Sequence, residues 1–560
     1  MFIRTKRSPN SPKIAVQLVE SIRTGKKVHQ KIIRHFGNAL NEQEVEALKK
    51  IAVHYMAELD NASEPTLFDS DTLAELTRTR RPHEEDDNPL HVNLKNLKEE
   101  KRITVGIHEF YGGLFHEIGF PHVVKNPARK KASMKLLKEM VMARIASPAS
   151  KRRSVEMLER EYGVRIDVNA VYRAMDYLDD QAIEKVGTLA YRNTTGLIGT
   201  AVNVVFYDCT TLYFESFHED EFKQNGYSKD GKFKQAQVLL SIIVTTSGLP
   251  LGYELFEGKT FEGDTLKSAL DKLKQTYLID KVVLVADAAL LSQKNITFLE
   301  ERQQEFILGA RIKNMSAEIT GKILDKDAYK PLYGEEEQSK TGEITFREIM
   351  LEEGKYRLIV TYNPTRAAKD KHDREKAIEQ LNKRMGRSKN PKSLLSHYGY
   401  KKFVKIEGEA TLVQDEEKIK EAERWDGLHG IYTDIKDQTA VELLNQYKGL
   451  WQVEETFRIG KHDLRMRPIF HWTPRRIKAH IALCFMALVC VRMAEYRIAL
   501  QYKKLSPHVI KTALLGLQIS ILKDHKTNKV YALPSKATQD AKKMYQIMGL
   551  RWTDTPYLIK

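Results

Sequence analysis

The earliest hydrophobic pattern along the chain is strand-like. Lys13-Ile-Ala-Val-Gln-Leu-Val-Glu-Ser-Ile alternates, Thr24-Gly-Lys supplies a turn, and Val28 to Ile33 alternates again, so a β-hairpin is predicted. Asn41 and Glu44 then have capping-box spacing, ahead of Val45, Leu48, Ala52, Tyr55, Met56 and Leu59 on one helical face. Residues near 62–100 are polar, include His83-Glu-Glu-Asp-Asp-Asn-Pro, and read as a linker. Helical periodicity covers 105–190. Within it, Ser150 to Tyr162 and Asp167 to Leu178 form two short helices joined through Gly163, with Asp167 as N-cap and Val168, Val171, Met175 and Leu178 at helical spacing. Arg152, Arg153, Arg165 and Arg173 decorate the pair. A helix-turn-helix reading DNA and a helical hairpin with a solvated basic face both satisfy this pattern.

Beyond residue 200 the period becomes that of strands. Val202-Asn-Val-Val-Phe-Tyr is apolar and is expected to end on Asp208. A basic, glycine-containing loop over 222–234 follows, then strands Gln237 to Thr246 and Leu249 to Phe256 around a tight Ser247-Gly248 turn. Asp264 is placed to cap a helix carrying Leu266, Leu270, Leu273 and Tyr277. Lys281-Val-Val-Leu-Val-Ala is the next strand, ending on Asp287, and Phe306-Ile-Leu-Gly-Ala-Arg the fifth. Three meandering strands, a helix and two more strands is the order of the ribonuclease-H-like fold. A right-handed crossover would return the fourth strand parallel beside the first and set Asp208 next to Asp287.

Residues 313–440 alternate in short runs, such as Glu343-Ile-Thr-Phe-Arg-Glu-Ile-Met-Leu and Tyr356-Arg-Leu-Ile-Val-Thr-Tyr, around a charged helical piece from Thr365 to Arg387. The fold class expected is therefore α/β, a ribonuclease-H-like core interrupted by a mainly β insertion and preceded by a β-hairpin and a helical DNA-binding region. The expected domains are 1–104 (hairpin, helix and linker), 105–198 (helical), 199–312 (first part of the core), 313–440 (insertion), 441–500 (second part of the core) and 501–560 (C-terminal region). In the last of these, Ile510, Leu514, Leu515, Leu517 and Ile519 suit either core or subunit pairing.

Composition narrows the partner. With 42% hydrophobic and 30% charged residues over 560 positions the chain is globular, and its formal charge of +16 favours a polyanion. No apolar run looks long enough to cross a bilayer; Ile481 to Val491 is the best, at core-helix length, so nucleic acid is preferred over a membrane. Cys209, Cys484 and Cys490 form no CxxC pattern, consistent with a reducing cytoplasm and no zinc site.

The densest chemistry lies at Tyr447-Lys-Gly-Leu-Trp-Gln-Val-Glu-Glu-Thr-Phe-Arg-Ile-Gly-Lys461. Tyr447, Glu454 and Lys461 are seven apart, so on one continuous helix they share a face, with Arg458 one turn from Glu454. A carboxylate in such a row suits a phosphodiester site, the acid holding metal while the cations grip the backbone. Each acid has an ordinary alternative: a strand-end Asp capping a turn for Asp208, a helix N-cap for Asp287, and competition from Glu455 for Glu454.

This stretch resembles the Tyr-x2-Arg-x3-Glu-x6-Lys motif of the DDE transposases of bacterial insertion sequences, the group with a β-rich insertion before the last acid. Tyr447, Glu454 and Lys461 match; the motif arginine falls on Leu450, with Lys448 able to serve the same region. Phe206-Tyr-Asp-Cys-Thr-Thr-Leu-Tyr-Phe resembles the family's first acidic block and Val285-Ala-Asp-Ala-Ala-Leu-Leu-Ser its second, so the likeness spans roughly 200–500. The resemblance implies catalytic and metal-holding carboxylates at Asp208, Asp287 and Glu454, and two Mg²⁺ ions about 4 Å apart, replaceable by Mn²⁺. It also implies end cleavage followed by strand transfer to target DNA within a homodimer on double-stranded DNA ends. Tyr447, Lys448, Arg458, Lys461 and Arg465 are the expected DNA contacts. Trp425 is the candidate to stack a base extruded in a hairpin intermediate, with a packed core Trp as its alternative. A nuclease that only cuts, or an inactive DNA-binding relative, would share the fold.

Overall fold

The computed structural model describes residues 2–7, 14–24, 27–39, 42, 44–46, 48–49, 51–53, 92–124, 127–199, 202–216, 218–226, 234–277, 282–333, 343–385, 403–407 and 411–559. The expected capping residue Asn41, the helix positions Tyr55, Met56 and Leu59, the acidic cluster at 83–89 and positions 227–233 of the basic loop lie outside them. The chain forms two compact units. The first comprises Met1–Phe261, Ser268–Asp280 and Trp451–Lys560; the second comprises Glu262–Lys267 and Lys281–Leu450.

In the first unit, the expected hairpin is the longer pair β2 (Ile14–Thr24) and β3 (Lys27–Ala39), and β1 (Phe2–Arg7) adds a third antiparallel strand that its basic composition concealed. A register shift between Leu18 and Val19 lets both side chains turn inward, as a bulge does. β4 (Leu97–Thr104) begins inside the stretch read as linker. Five helices follow, as the periodicity predicts: α1 (Gly106–Glu117), α2 (Pro127–Ala146), α3 (Lys151–Tyr162), α4 (Val168–Met175) and α5 (Asp180–Ile198). The α3–α4 boundaries are set by strong local signals. Ser150 Oγ accepts from the Arg153 N–H, Gly163 ends α3 at φ 67, and the Asp167 carboxylate accepts from the N–H groups of Asn169 and Ala170.

Strands β5 (Val204–Tyr213), β6 (Gln237–Thr245) and β7 (Pro250–Glu257) form the antiparallel meander, and α6 (Leu266–Tyr277) follows it. Every position of β6 is buried. Gly248, at φ +73, supplies the left-handed residue of the β6–β7 turn.

The second unit starts with a parallel pair, β8 (Val283–Ala286) and β9 (Phe306–Gly309), joined through α7 (Gln293–Glu301). Then come α8 (Ala317–Leu324), β10 (Lys330–Pro331), β11 (Thr345–Leu351), β12 (Tyr356–Tyr362), α9 (Pro364–Met385), the hairpin β13 (Val404–Glu407) and β14 (Thr411–Gln414), α10 (Glu416–Arg424), β15 (Leu428–Thr433) and α11 (Ala440–Lys448). The expected insertion is indeed rich in strands, yet most of them extend the β9 edge instead of making a sheet apart. The order runs β9–β15–β12–β11–β10, antiparallel throughout. Ile312, Ile323, Ile349, Leu358, Val360, Trp425 and Leu428 form its core.

The first unit resumes with α12 (Trp451–Arg458), a π-helical turn at Ile459–Asp463, α13 (Pro474–Gln501), α14 (Pro507–Leu515), β16 (Gln518–Asp524), β17 (Val530–Pro534), α15 (Gln539–Ile547) and β18 (Tyr557–Leu558). The order β18–β17–β16–β4 makes a four-stranded sheet. By length and composition α13 could cross a bilayer, contrary to the sequence expectation; 94% of its most apolar window is packed inside the protein, as suits a core helix apolar all round. Ile510, Leu514, Leu517 and Ile519 are at most 1% exposed and Leu515 is half-buried, so this stretch serves mainly as core. The architecture is mixed α/β, with the predicted order of meander, helix and two parallel strands.

Candidate functional site

Asp208 is not at the end of its strand. β5 continues through Cys209-Thr-Thr-Leu-Tyr, where β-branched and aromatic residues pair with β6, and Asp208 sits opposite Ile242. Between the two ends of this strand, Asp208 alone among the described positions is not buried. Its Oδ1 accepts from the Cys209 N–H at 2.7 Å. Thr210, two residues on and therefore on the same face, has a buried hydroxyl without a hydrogen-bond partner.

α12 packs against β5 and β6 and carries Glu454 on its exposed side. The two neighbouring glutamates differ in their charge pairing. Glu455 takes two hydrogen bonds of 2.7 Å from Arg458, whose guanidinium holds that carboxyl below its ordinary range. Glu454 has no such partner among the described residues. Arg458 also lies 3.5 Å from Asp463, and the Glu455 bond raises its own pKa, so its charge is largely satisfied within the helix.

Arg492, on α13, anchors this helix from behind. Its buried guanidinium donates to the Gly248 carbonyl (2.9 Å), to Glu495 (2.8 Å) and to Gln452 (3.2 Å), two residues before Glu454. A side chain at Gly248 would overlap that guanidinium. Sequence reasoning missed Arg492, which looks like one more polar break in an apolar helix.

The one continuous helix expected to carry Tyr447, Glu454 and Lys461 is interrupted. α11 ends at Lys448, Gly449 and Leu450 turn the chain, and α12 gives way to the π-helical turn that holds Lys461. Lys461 is half-buried, with its ammonium 6.0 Å from the Phe457 ring centroid; Arg465 is exposed at φ 45, and Arg144 donates to the Leu464 and Arg465 carbonyls beside it. Leu450, at the motif-arginine position, is buried.

In the second unit, Asp287 follows β8 and caps a 3₁₀ turn, Ala288–Leu290, its Oδ1 accepting from the Ala289 N–H at 2.9 Å. The expected capping role is therefore present and leaves the second carboxylate oxygen for other work. Arg311, directly after the fifth strand's Gly309-Ala310, clamps that turn by donating to the Ala288 and Ala289 carbonyls at 2.8 and 3.1 Å. Its place was visible in the sequence; its partner was not. Tyr447 lies over Gly309, where any side chain would strike both the Tyr447 hydroxyl and the Ala288 backbone. The Tyr447 ring is 5.4 Å from that of His429, whose pKa burial lowers to about 4. Lys448 donates to the Tyr333 hydroxyl at 2.6 Å.

Trp425 is not available to stack on a base. It is 7% exposed in the core of the second unit, and its indole N–H is satisfied by Glu421 at 3.0 Å. The three cysteines are buried and form no disulfide. α3 presents Arg152, Arg153 and Arg160, together with Glu156 and Glu161, around a surface cavity of about 530 Å³. Asp176 and Asp180, beyond α4, pair with Arg476 and Lys478 of α13. Among the described residues no three His, Cys, Asp or Glu side chains converge as a metal-binding group.

Residues 3–65 match the IS1634 family transposase N-terminal domain. A solved structure, the Mos1 transposase paired-end complex with left transposon end, is similar at 12% identity over 47% of this chain and 76% of that one, with a TM-score of 0.14 that carries no argument. No curated protein matches the chain. Residues 202–490, more than half of the chain, match the transposase DDE domain, and this protein belongs to that family, the DNA transposases of insertion sequences.

Proposed function

We propose that this transposase cleaves the ends of its own element and joins the 3′-OH ends to target DNA, with Asp208, Asp287 and Glu454 as its catalytic acids. The observation that carries this reading is the packing of α12, bearing an exposed and unpaired Glu454, on the strand in which Asp208 alone breaks the buried run. Asp287, directly after β8, would be the remaining acid of the set that the family likeness implies.

Domains of this family use divalent metal ions. The donor set fits a hard cation, since three carboxylates and the partnerless Thr210 hydroxyl are all oxygen ligands. Two bound Mg²⁺ ions, or Mn²⁺, would acidify a water or 3′-hydroxyl and offset charge on the leaving oxygen. The chain's own part is positional. Arg492 fixes α12 through Gln452, and Arg311 fixes the turn after Asp287. Lys461, Arg465 and Lys448 supply cations for backbone phosphates, with Arg458 a weaker contributor because Glu455 and Asp463 already hold it. Each element has two ends to be cut in coordination, which favours a homodimer bridged by double-stranded DNA, with residues 1–198 recognising the terminal repeats.

The test is substitution of each acid by alanine. Asp208→Ala, Asp287→Ala and Glu454→Ala should each abolish Mg²⁺-dependent cleavage of DNA carrying the terminal repeats while retaining end binding, because the cations and not the acids hold the backbone. Wild-type cleavage by any one of them removes that residue from the site.

A further inference from the structure

The loop between the π-helical turn and α13 places two large aromatic rings in solvent. Phe470 is 63% exposed and Trp472 62%, whereas Ile469 is 1% exposed and His471 is mostly buried. Ile469 is fixed inward, its N–H donating to the Tyr213 carbonyl at 3.0 Å and its backbone bridging to Phe214 at the end of β5. His471 is fixed inward between the rings of His480 (5.2 Å) and Tyr172 (6.3 Å). This alternation is that of an extended segment, so Phe470 and Trp472 share the outward side about 7 Å apart. Bases along one strand are spaced by about 3.4 Å, so that gap is about two stacking distances and admits one planar base.

The surroundings are cationic. Lys223, itself buried and held by Asp220 at 3.0 Å, supports the Trp472 ring from beneath, its ammonium 5.4 Å from the ring centroid. The Arg467 guanidinium lies 5.4 Å from the Tyr213 ring centroid, and Arg465 on the same loop is exposed. Aromatic rings interleaved with cations are the arrangement that takes unpaired nucleic acid, the rings stacking on bases while the cations follow the backbone. Such rings on a pinned loop lose little freedom on binding.

We infer that Phe470 and Trp472 form a stacking platform for an unpaired DNA base, with Arg465 and Arg467 facing the adjoining backbone. This rests on the DNA transposase reading and deepens it by assigning the single-stranded part of the substrate to this loop.

The test uses the full chain and two duplexes of one terminal sequence, one fully paired and one with two unpaired end nucleotides carrying 2-aminopurine. Wild-type protein should quench the 2-aminopurine and prefer the frayed duplex. Trp472→Ala should lose the quench and about tenfold in affinity for the frayed duplex alone, with its salt slope unchanged; Phe470→Ala should do likewise, and Trp472→Phe should restore most of the effect. Unchanged quenching in both alanine variants overturns the inference, as does an equal loss on both duplexes. A change in self-association of DNA-free protein with quenching intact assigns the rings to a second copy and also overturns it. Failure of the transposase reading would appear separately, as absence of metal-dependent cleavage by the wild type.

Discussion

Replacing Arg492 by methionine keeps the aliphatic stem and deletes the guanidinium. That group is 8% exposed and holds the Gly248 carbonyl, the Gln452 amide oxygen and the Glu495 carboxylate together. Glu495 is 16% exposed, and burial already holds its carboxyl above the ordinary range against the pull of Arg492. Removing one partner of a buried pair costs about 3–5 kcal/mol. Glu495 can escape part of this by taking a proton, so about 3 kcal/mol is expected at pH 8. The sign follows from linkage. A glutamate whose folded pKa is raised loses stability as pH climbs from the unfolded value, about 4.3, through the folded one. Deleting Arg492 moves the folded value higher still, so the deficit must be larger at pH 8 than at pH 5. Urea unfolding at both pH values measures it. Adding Glu495→Gln should recover most of the loss, because no buried charge then remains. Since Gln452 sits two residues before Glu454, cleavage by the single variant should fall about tenfold or more at a temperature where end binding is unaltered. A deficit equal at both pH values, or a double variant as weak as the single one, refutes the reasoning.

Lys461→Ala and Arg465→Ala should each lower the slope of log K against log salt for end binding by about one, while Arg458→Ala should lower it by less because Glu455 and Asp463 already hold that charge. An Arg458 effect as large as the other two would contradict the pairing seen here. Burial, then the Arg144 charge, push the Lys151 ammonium down to about 7. The unfolded chain therefore binds a proton between about pH 10 and 7 that the folded one does not, and stability falls as pH drops through that window. Lys151→Met should stabilise by about 3–5 kcal/mol at pH 7 and by almost nothing at pH 10.5, measured by urea unfolding; a less stable variant at pH 7 is the contrary result. Asp167→Ala removes both cap bonds of α4 and should cost about 1 kcal/mol, read as a fall in the midpoint of thermal unfolding.

What the sequence disclosed follows the range of the forces involved. The α3–α4 boundaries were legible because Ser150, Gly163 and Asp167 act within a few residues of themselves. The β6–β7 turn was legible because Gly248 is needed at its own position. Asp208 was placed at a strand end because charge usually terminates an apolar run, whereas pairing to β6 carries the strand past it. The break at Gly449 was hidden by a seven-residue spacing that assumes one continuous helix. Trp425 shows the same limit from the other side: one indole in a charged segment gives no sign of whether a core will close over it. The candidate acids stand out by residue type and order, whereas Arg311 and Arg492 do not, because their partners, the Ala288, Ala289 and Gly248 carbonyls and the Gln452 amide oxygen, are distant in sequence.

The pairing of β4 with β16 sets a timetable for synthesis. Residues 97–104 leave the ribosome early, yet the strand that completes their hydrogen bonding is translated far later, a delay on the order of tens of seconds at ordinary elongation rates. Until then Ile103 and Val105 have neither Ile519, Ile521 nor Ala532 to pack against. A nascent chain thus carries an open strand edge over an apolar face for most of its translation, which makes it a client for chaperones. A chain stopped before residue 518 lacks the strand that closes this sheet and keeps that edge open.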